Sequence, residues 1–206
     1  LAKGQPGVVV FPGDTSEAAR AVKMTRQAGL PFVPRGFGTN LSGGTVMVSG
    51  GVVICMSRLN RILEISPQRR CAVVQPGVTN LELQDALAPL GFFYAPDPAS
   101  QKVATLGGNV GENSGGPRCL KYGVTTNHIL GMEVILSSGE IARIGGCAYD
   151  PAGFDLRGAL VGSEGTMGIV TEVTVRILPL PETTITLLVV YDDIADAAQS
   201  VSDIIS

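Results

Sequence analysis

Tryptophan is missing from this chain, and histidine occurs once, as His128. A zinc or iron site needs several His, Cys or carboxylate ligands at suitable spacing. No such spacing is present, so no metal ligands are assigned. His128 stands beside Ile129 and Leu130 and reads as a hydrogen-bonded packing residue rather than a catalytic one. The four cysteines, Cys55, Cys71, Cys119 and Cys147, lie far apart with no C-x-x-C. An even count permits disulfides, but no secretory signal is visible at this end of the chain. The expectation is four reduced, mostly buried thiols. No run approaches the ~20 apolar residues of a membrane span. From Ala18 to Leu63 there is no Asp or Glu, while Arg20, Lys23, Arg26, Arg35, Arg58 and Arg61 fall in that stretch. Even so, the net charge of −3, the acidic pI and the lack of aromatics alternating with basic residues argue against nucleic acid.

What is abundant is glycine, 27 of 206 residues, about twice the usual ~7%. It gathers in three clusters. The first is Arg35–Gly44, the second Gly107–Gly116 and the third Gly162–Gly168. Without Cβ, a loop lets a ligand approach the backbone and allows positive φ. Consecutive N–H groups then form a concave nest for phosphate or pyrophosphate. Tight turns between strands would explain one such cluster. Three point to one large, elongated, phosphorylated ligand. The familiar nucleotide motifs do not fit. A G-x-G-x-x-G from Gly36 meets Leu41 where its last glycine belongs. The stretch Gly111 to Gly116 is followed by Pro117-Arg118, not by the Lys-Ser/Thr of a P-loop. Among the basic residues, Arg20, Lys23 and Arg26 read as the wet face of a helix. Arg35 abuts the first cluster and is the better anion partner.

Along the chain, Val8–Phe11 reads as a strand. A helix follows, capped by Thr15 or Ser16, with Ala18, Ala19, Val22, Met24 and Ala28 as its apolar side and Gly29 ending it. Phe32-Val33 returns as a strand, making a βαβ unit with parallel strands. Val52–Met56 is a further strand. Ile62–Ile65 and Ala72–Val74 read as an adjacent pair. A helix starts at Thr79 or Asn80, carries Leu81, Leu83, Ala86 and Leu87, and stops before Gly91. Met132–Leu136 and Ile141–Ile144 form a hairpin over Ser137–Glu140. Ile169–Leu178 and Ile185–Tyr191 read as strands and Ile194–Ile205 as a helix. The class is α+β, with a small βαβ lobe, a larger, mainly antiparallel lobe, and the ligand between them. Both ends look cut. Residues 1–182 are expected to be one ligand-binding domain lacking its N-terminal part, and 183–206 the start of a truncated substrate or cap domain.

Several ordered motifs then carry a family resemblance. They are PRGFGTNLSGG (34–44), VQPGVTN (74–80), PDPAS (96–100), TLGGNVGENSGG (105–116), KYG (121–123), GFDL (153–156) and VGSEGTMGIVTEVTV (161–175). Together they resemble the FAD-binding domain of the FAD-linked oxidases, the vanillyl-alcohol oxidase and p-cresol methylhydroxylase type, over nearly the whole chain. The run Cys119–Thr125 is similar to the branch oxidising D-2-hydroxy acids, the FAD subunits (D) of glycolate oxidase, with D-lactate dehydrogenases sharing most other motifs.

The resemblance implies roles. Arg35, Gly36, Phe37, Gly38, Thr39, Leu41 and Gly43 would wrap the FAD pyrophosphate, with Pro34 and Asn40 beside it. Pro76 and Gly77 would pass near the adenosine half. Pro96, Asp97 and Pro98, with Thr105, Gly107, Gly108 and Asn109, would run along the flavin and ribityl chain. Asn113, Ser114, Gly115, Gly116, Tyr122 and Gly123 would complete the cradle. Glu164, Gly165, Ile169 and Val170 would offer backbone to the adenine or ribityl region. Some members attach FAD through a histidine in the first loop. Here that stretch is Gly38–Leu41, with no histidine, so FAD is expected to be non-covalent. The implied activity is FAD-dependent oxidation of a small D-2-hydroxy acid, glycolate or D-lactate, to the 2-oxo acid. The base lies outside this chain, no catalytic residue is assigned in it, and the fragment alone is expected to be inactive. Iron–sulfur and second flavin-type subunits are the implied electron acceptors. The implied location is cytoplasmic, or peripheral at the membrane through those subunits. The rival reading is a non-catalytic flavin-binding subunit of an oxidoreductase complex.

Overall fold

The computed structural model describes residues 3–147 and 153–206. Strand β1 (Val8–Val10) leads into helix α1 (Thr15–Gln27), which returns as β2 (Phe32–Arg35). Strand β3 (Val52–Cys55) inserts between them, parallel to both, in the order β1-β3-β2. The N-cap of α1 is Asp14 rather than Thr15 or Ser16, its Oδ1 accepting the Glu17 N–H at 2.8 Å. Thr15 is used elsewhere: its hydroxyl donates to Glu133 Oε1 at 3.1 Å, on the other lobe. The buried stripe of α1 is Ala18, Val22 and Thr25, spaced i, i+4, i+7. Met24 falls off that stripe and is 68% exposed, so its place on the apolar side is corrected, as is that of the exposed Ala28. Gly29 follows the helix at φ +66°, as expected of a C′ glycine.

The larger lobe is built from β4 (Ile62–Ser66), β5 (Cys71–Val74), α2 (Asn80–Leu87), the short β6 (Phe92–Phe93), α3 (Leu106–Glu112), the single-turn α4 (Cys119–Tyr122), β7 (Ile129–Ile135), β8 (Ile141–Gly145), α5 (Leu156–Leu160), β9 (Ile169–Arg176) and the short β10 (Leu178–Pro179). Its antiparallel sheet runs β4-β5-β9-β7-β8. Along β9, Ile169, Thr171, Val173 and Val175 are buried and alternate with less buried residues, the period of a strand with one face on a core. Thr79 caps α2 in a capping box with Glu82. Leu83 and Leu87 then face the core shared with Val78, Tyr94, Leu106 and Val110.

Three expectations need correction. First, the second glycine cluster is not a loop throughout, because Leu106–Glu112 forms helix α3 under a Thr105 cap. Glycine weakens a helix by only ~1 kcal/mol per residue, and here packing outweighs it. Second, Ile185–Tyr191 is not a strand. Its side chains are exposed, Leu188 at 92%, and a strand needs a ladder partner to form. Helix α6 (Ile194–Ile205) does follow, capped by Asp193, but buries no residue. Third, the cysteines are not all reduced. Cys71, opening β5, is bonded to Cys147, just after β8, across 76 positions of sequence. Cys55 and Cys119 remain free. Spacing cannot show such a pair, because the sheet brings it together.

Candidate FAD-binding cleft

All three glycine clusters meet where the lobes join. Two contiguous hollows lie there, with volumes of about 80 Å³ and 280 Å³, both open to solvent. The first is walled by Pro34, Arg35 and Gly36 from the end of β2, by Pro76, and by Thr105, Gly107 and Gly108 at the start of α3. Glu164, Gly165, Ile169 and Val170 complete it. The second takes Phe37, Gly38, Thr39, Asn40 and Leu41, with Asn109 and Ser114, and shares Gly36, Thr105 and Gly108 with the first.

The first loop has the character of an anion nest. Among the described residues, no acceptor meets the backbone N–H of any residue from Phe37 to Gly44. Gly38 turns at φ +73°, and a Cβ there would lie 2.5 Å from the Arg35 guanidinium. Arg35 has no carboxylate partner among the described residues. Thr45 Oγ1 donates to Asn40 Oδ1 at 2.9 Å, and Asn40 Nδ2 donates to Ser42 Oγ at 3.1 Å.

The other two clusters are spent on packing. Gly107 N–H bonds the Pro76 carbonyl at 2.9 Å, and Gly108 N–H bonds Thr105 Oγ1 at 3.2 Å. Gly162 and Glu164 N–H groups bond the carbonyls of Val110 and Gly111, at 2.8 and 2.9 Å. That docks the third cluster on the end of α3. Gly165, at φ +78°, closes against the Pro34 ring. These glycines thin the walls so that the hollow exists at all.

Several residues expected at the site line neither hollow. Gly77 packs under the chain at Met56–Leu59, its N–H on the Leu59 carbonyl at 2.7 Å. The Pro96 carbonyl accepts Asn80 Nδ2 at 2.7 Å, Asp97 pairs with Arg118 at 3.4 Å, and the Pro98 carbonyl accepts the Gln101 N–H at 2.9 Å. Asn113 ends α3 in the left-handed region, its Oδ1 holding Thr126 N–H at 2.9 Å. Gly115 abuts Cys119 Sγ, Gly116 the Asp97 carbonyl and Gly123 the Asn127 side chain. Tyr122 stacks edge-on against Phe93. Gly43 turns at φ +79° with its carbonyl on Val46 N–H. His128 is buried, and its Nε2–H donates to the Tyr122 carbonyl at 2.8 Å. Burial lowers its pKa, the Tyr122 carbonyl opposes that, and Arg176 adds to it.

Among the lining residues not foreseen, Glu112 and Ser42 carry polar side chains that meet. Glu112, the last residue of α3, lines both hollows, and Ser42 reaches toward it. Helical spacing was the available signal: Gly108 and Glu112 are i, i+4 once 105–112 is read as a helix. Burial, then the neighbouring Glu164, holds the Glu112 carboxyl above its ordinary range, while Ser42 and Asn40 pull it down.

A family model described as "FAD binding domain" matches residues 6–145. The chain belongs to that family. It is 50% identical over 205 residues to glycolate oxidase subunit GlcD of Bacillus subtilis (strain 168), covering 99% of this chain and 44% of that protein. With GlcD of Escherichia coli (strain K12) the identity is 44% over 98% of this chain and 40% of that one. With D-lactate dehydrogenase of Anaerostipes hadrus it is 37% over 97% and 42%. A solved structure of alkyldihydroxyacetonephosphate synthase superposes with a TM-score of 0.74 at 27% identity, covering 85% of this chain and 34% of that one. The chain thus spans less than half the length of the curated relatives it matches. FAD is the cofactor of this domain, and the cleft fits it: unspent N–H groups and Arg35 suit a dianionic pyrophosphate, and walls thinned by glycine suit a long ligand. No helix among the described residues is long and apolar enough to cross a membrane.

Proposed function

We propose that this chain is the FAD-binding portion of an enzyme that oxidises a small D-2-hydroxy acid, glycolate or D-lactate, to the 2-oxo acid. One observation carries the reading: a loop whose N–H groups meet no acceptor among the described residues, beside an Arg35 with no carboxylate partner among them, facing a glycine-walled cleft between two lobes. The names of the relatives support the substrate class. Residues 1–182 form the FAD-binding domain, and 183–206 begin the part that covers the substrate. The exposed apolar side chains of Ile185–Val190 support that division, since they await a partner sheet.

Phe37–Gly44 and Arg35 hold the pyrophosphate. Pro34 and Pro76 flank it, and Thr105–Asn109 with Ile169-Val170 run beside the rest of the ligand. The residues lining neither hollow, Pro96–Pro98, Asn113, Gly115-Gly116 and Tyr122-Gly123, are the floor on the flavin side. Bound there, FAD supplies a hydride acceptor. Attachment is non-covalent, because no histidine lies in the first loop. Electrons leave through iron–sulfur and second flavin-type subunits, in keeping with relatives named as subunits. The working location is the cytoplasm or the membrane face held by those subunits.

The test is the full-length protein. It should purify yellow, release all its flavin as FAD on acid precipitation, and reduce a dye with glycolate or D-lactate. Flavin retained in the acid pellet would refute non-covalent binding. FAD without any hydroxy-acid turnover would favour a flavin-binding subunit without chemistry. The isolated 206-residue chain should show no turnover.

A further inference from the structure

Ser42 stands at the tip of the first loop between two carboxylates that come from different elements. Its Oγ lies 3.4 Å from Glu112 Oε2, at the end of α3, and 3.2 Å from Glu164 Oε2, in the third cluster. The hydroxyl has one proton, and it already accepts Asn40 Nδ2. It therefore serves one carboxylate at a time, leaving the other facing an anion. The C-terminal end of α3 adds its own partial negative charge at Glu112. Arg35 is the cation lining the same cleft, but its guanidinium folds over Gly38 and pairs with neither glutamate. Glu112 walls both hollows and Glu164 the first, while the loop assigned to the pyrophosphate lines the second.

We propose that Glu112 binds one proton from solvent when the phosphorylated ligand enters, and that this proton latches the first loop over the cleft. The relay is complete only with that proton: Glu112 O–H donates to Ser42 Oγ, and Ser42 O–H donates to the Glu164 carboxylate. Every donor then has an acceptor, and two adjacent negative charges become one. Burial and then Glu164 raise the Glu112 carboxyl, the direction the step requires, against Ser42 and Asn40, which lower it. The charged groups facing Glu112 are Glu164 from the third cluster and Arg35 from the end of β2, with Ser42 and Asn40 as neutral partners. The proposal rests on the reading that FAD pyrophosphate lies on the first loop.

Calorimetric titration of the flavin-free full-length protein with FAD, at pH 7 in two buffers of different ionisation enthalpy, reads the protons taken up. The expected value is between half and one. Between the ligand-free and the bound-state midpoints, one linked proton weakens FAD binding by about tenfold per pH unit. Glu112→Gln keeps the shape and removes the charge. Its proton uptake should fall close to zero, and its affinity should change by less than about twofold between pH 7 and 8.5, a small fraction of the tenfold-per-unit dependence. No uptake by the unmodified protein, or uptake unchanged in Glu112→Gln, overturns the proposal. Failure to bind FAD at all would instead refute the reading of the cleft. The latch keeps a separate readout in the FAD-bound protein, amide exchange of residues 37–44 corrected for intrinsic rate. Protection should fall as the pH rises, and Glu112→Gln should abolish that fall. Protection independent of pH overturns the latch.

Discussion

The first and second glycine clusters look alike in composition and do opposite things. In the first, no N–H from Phe37 to Gly44 meets an acceptor among the described residues, and Gly38 and Gly43 turn at positive φ. In the second, the chain is helical, and the N–H groups of Gly107, Gly108 and Asn109 are all bonded. A Cβ on Gly107 would sit 2.6 Å from the Pro76 Cβ. The first cluster supplies donors, and the second supplies closeness. Glycine count alone does not separate the two uses; the destination of the backbone N–H groups does.

Substitutions should split along that line. Gly38→Val has the largest expected effect, and it falls on binding. Valine resists φ +73°, at a cost on the order of 1–3 kcal/mol, and each lost N–H contact to a charged oxygen adds roughly 1.5–3 kcal/mol. FAD affinity should drop about a hundredfold or more, while the strain itself lowers the melting temperature by no more than roughly 3–10 °C. Normal binding would make the first loop a mere turn. Cutting the Cys71–Cys147 disulfide lies outside both clusters and should act on stability alone. Closing a long loop is worth about 2–4 kcal/mol. Reduction, or a double Cys→Ser variant, should lower the melting temperature by roughly 5–15 °C. Thiol titration of the unfolded, unreduced protein tests the bond directly: four reactive thiols from this chain instead of two would refute it.

Gly107→Ala comes next. Overpacking against Pro76 should cost about 1–3 kcal/mol, or a melting temperature roughly 3–10 °C lower. FAD affinity, measured where the variant is folded, should stay within about threefold, less than one factor of ten or 1.4 kcal/mol. A large loss of affinity with no loss of stability would erase the distinction between the clusters. His128 gives a smaller effect of known sign. Its folded pKa is lowered by burial, so the stability it contributes is full above its unfolded value and is lost as pH falls below about 6.5. Between pH 7 and pH 5 the unmodified protein should lose more melting temperature than His128→Asn. Equal losses would remove burial of a neutral ring as the cause. The smallest effect is the control, Lys23→Ala on the far side of α1, which should leave FAD affinity within about threefold, under 1.4 kcal/mol.

What could be read in advance was local. The βαβ unit follows from the period of α1, from Gly29 and from the short flanking strands. The β7–β8 hairpin follows from its Ser-Ser-Gly-Glu turn. The place of the first loop at the cleft was legible because its glycines lie close together in sequence. The misreadings were set by distant partners. Asp14 outcompetes Thr15 as cap because Thr15 is drawn to Glu133. Met24 is apolar, but it lies off the stripe that β3 covers. Ile185–Tyr191 has strand-forming residues without a strand to pair with. Cys71 meets Cys147, and Glu112 meets Ser42 and Glu164, only once the sheet and α3 are assembled.

Ile135 and Ile169 belong to the sheet of the larger lobe, yet both are buried in the core that holds α1 and β3. The two lobes therefore share one interior. A hinge between them would expose that interior to water, at about 25 cal/mol for each Å² uncovered. The cleft is thus a fixed slot, and a ligand entering it is expected to displace the Phe37–Gly44 strap rather than part the lobes. Exchange of bound cofactor should then keep time with that short segment, so that rates of FAD uptake and release change with variants in the strap and not with variants in the shared interior.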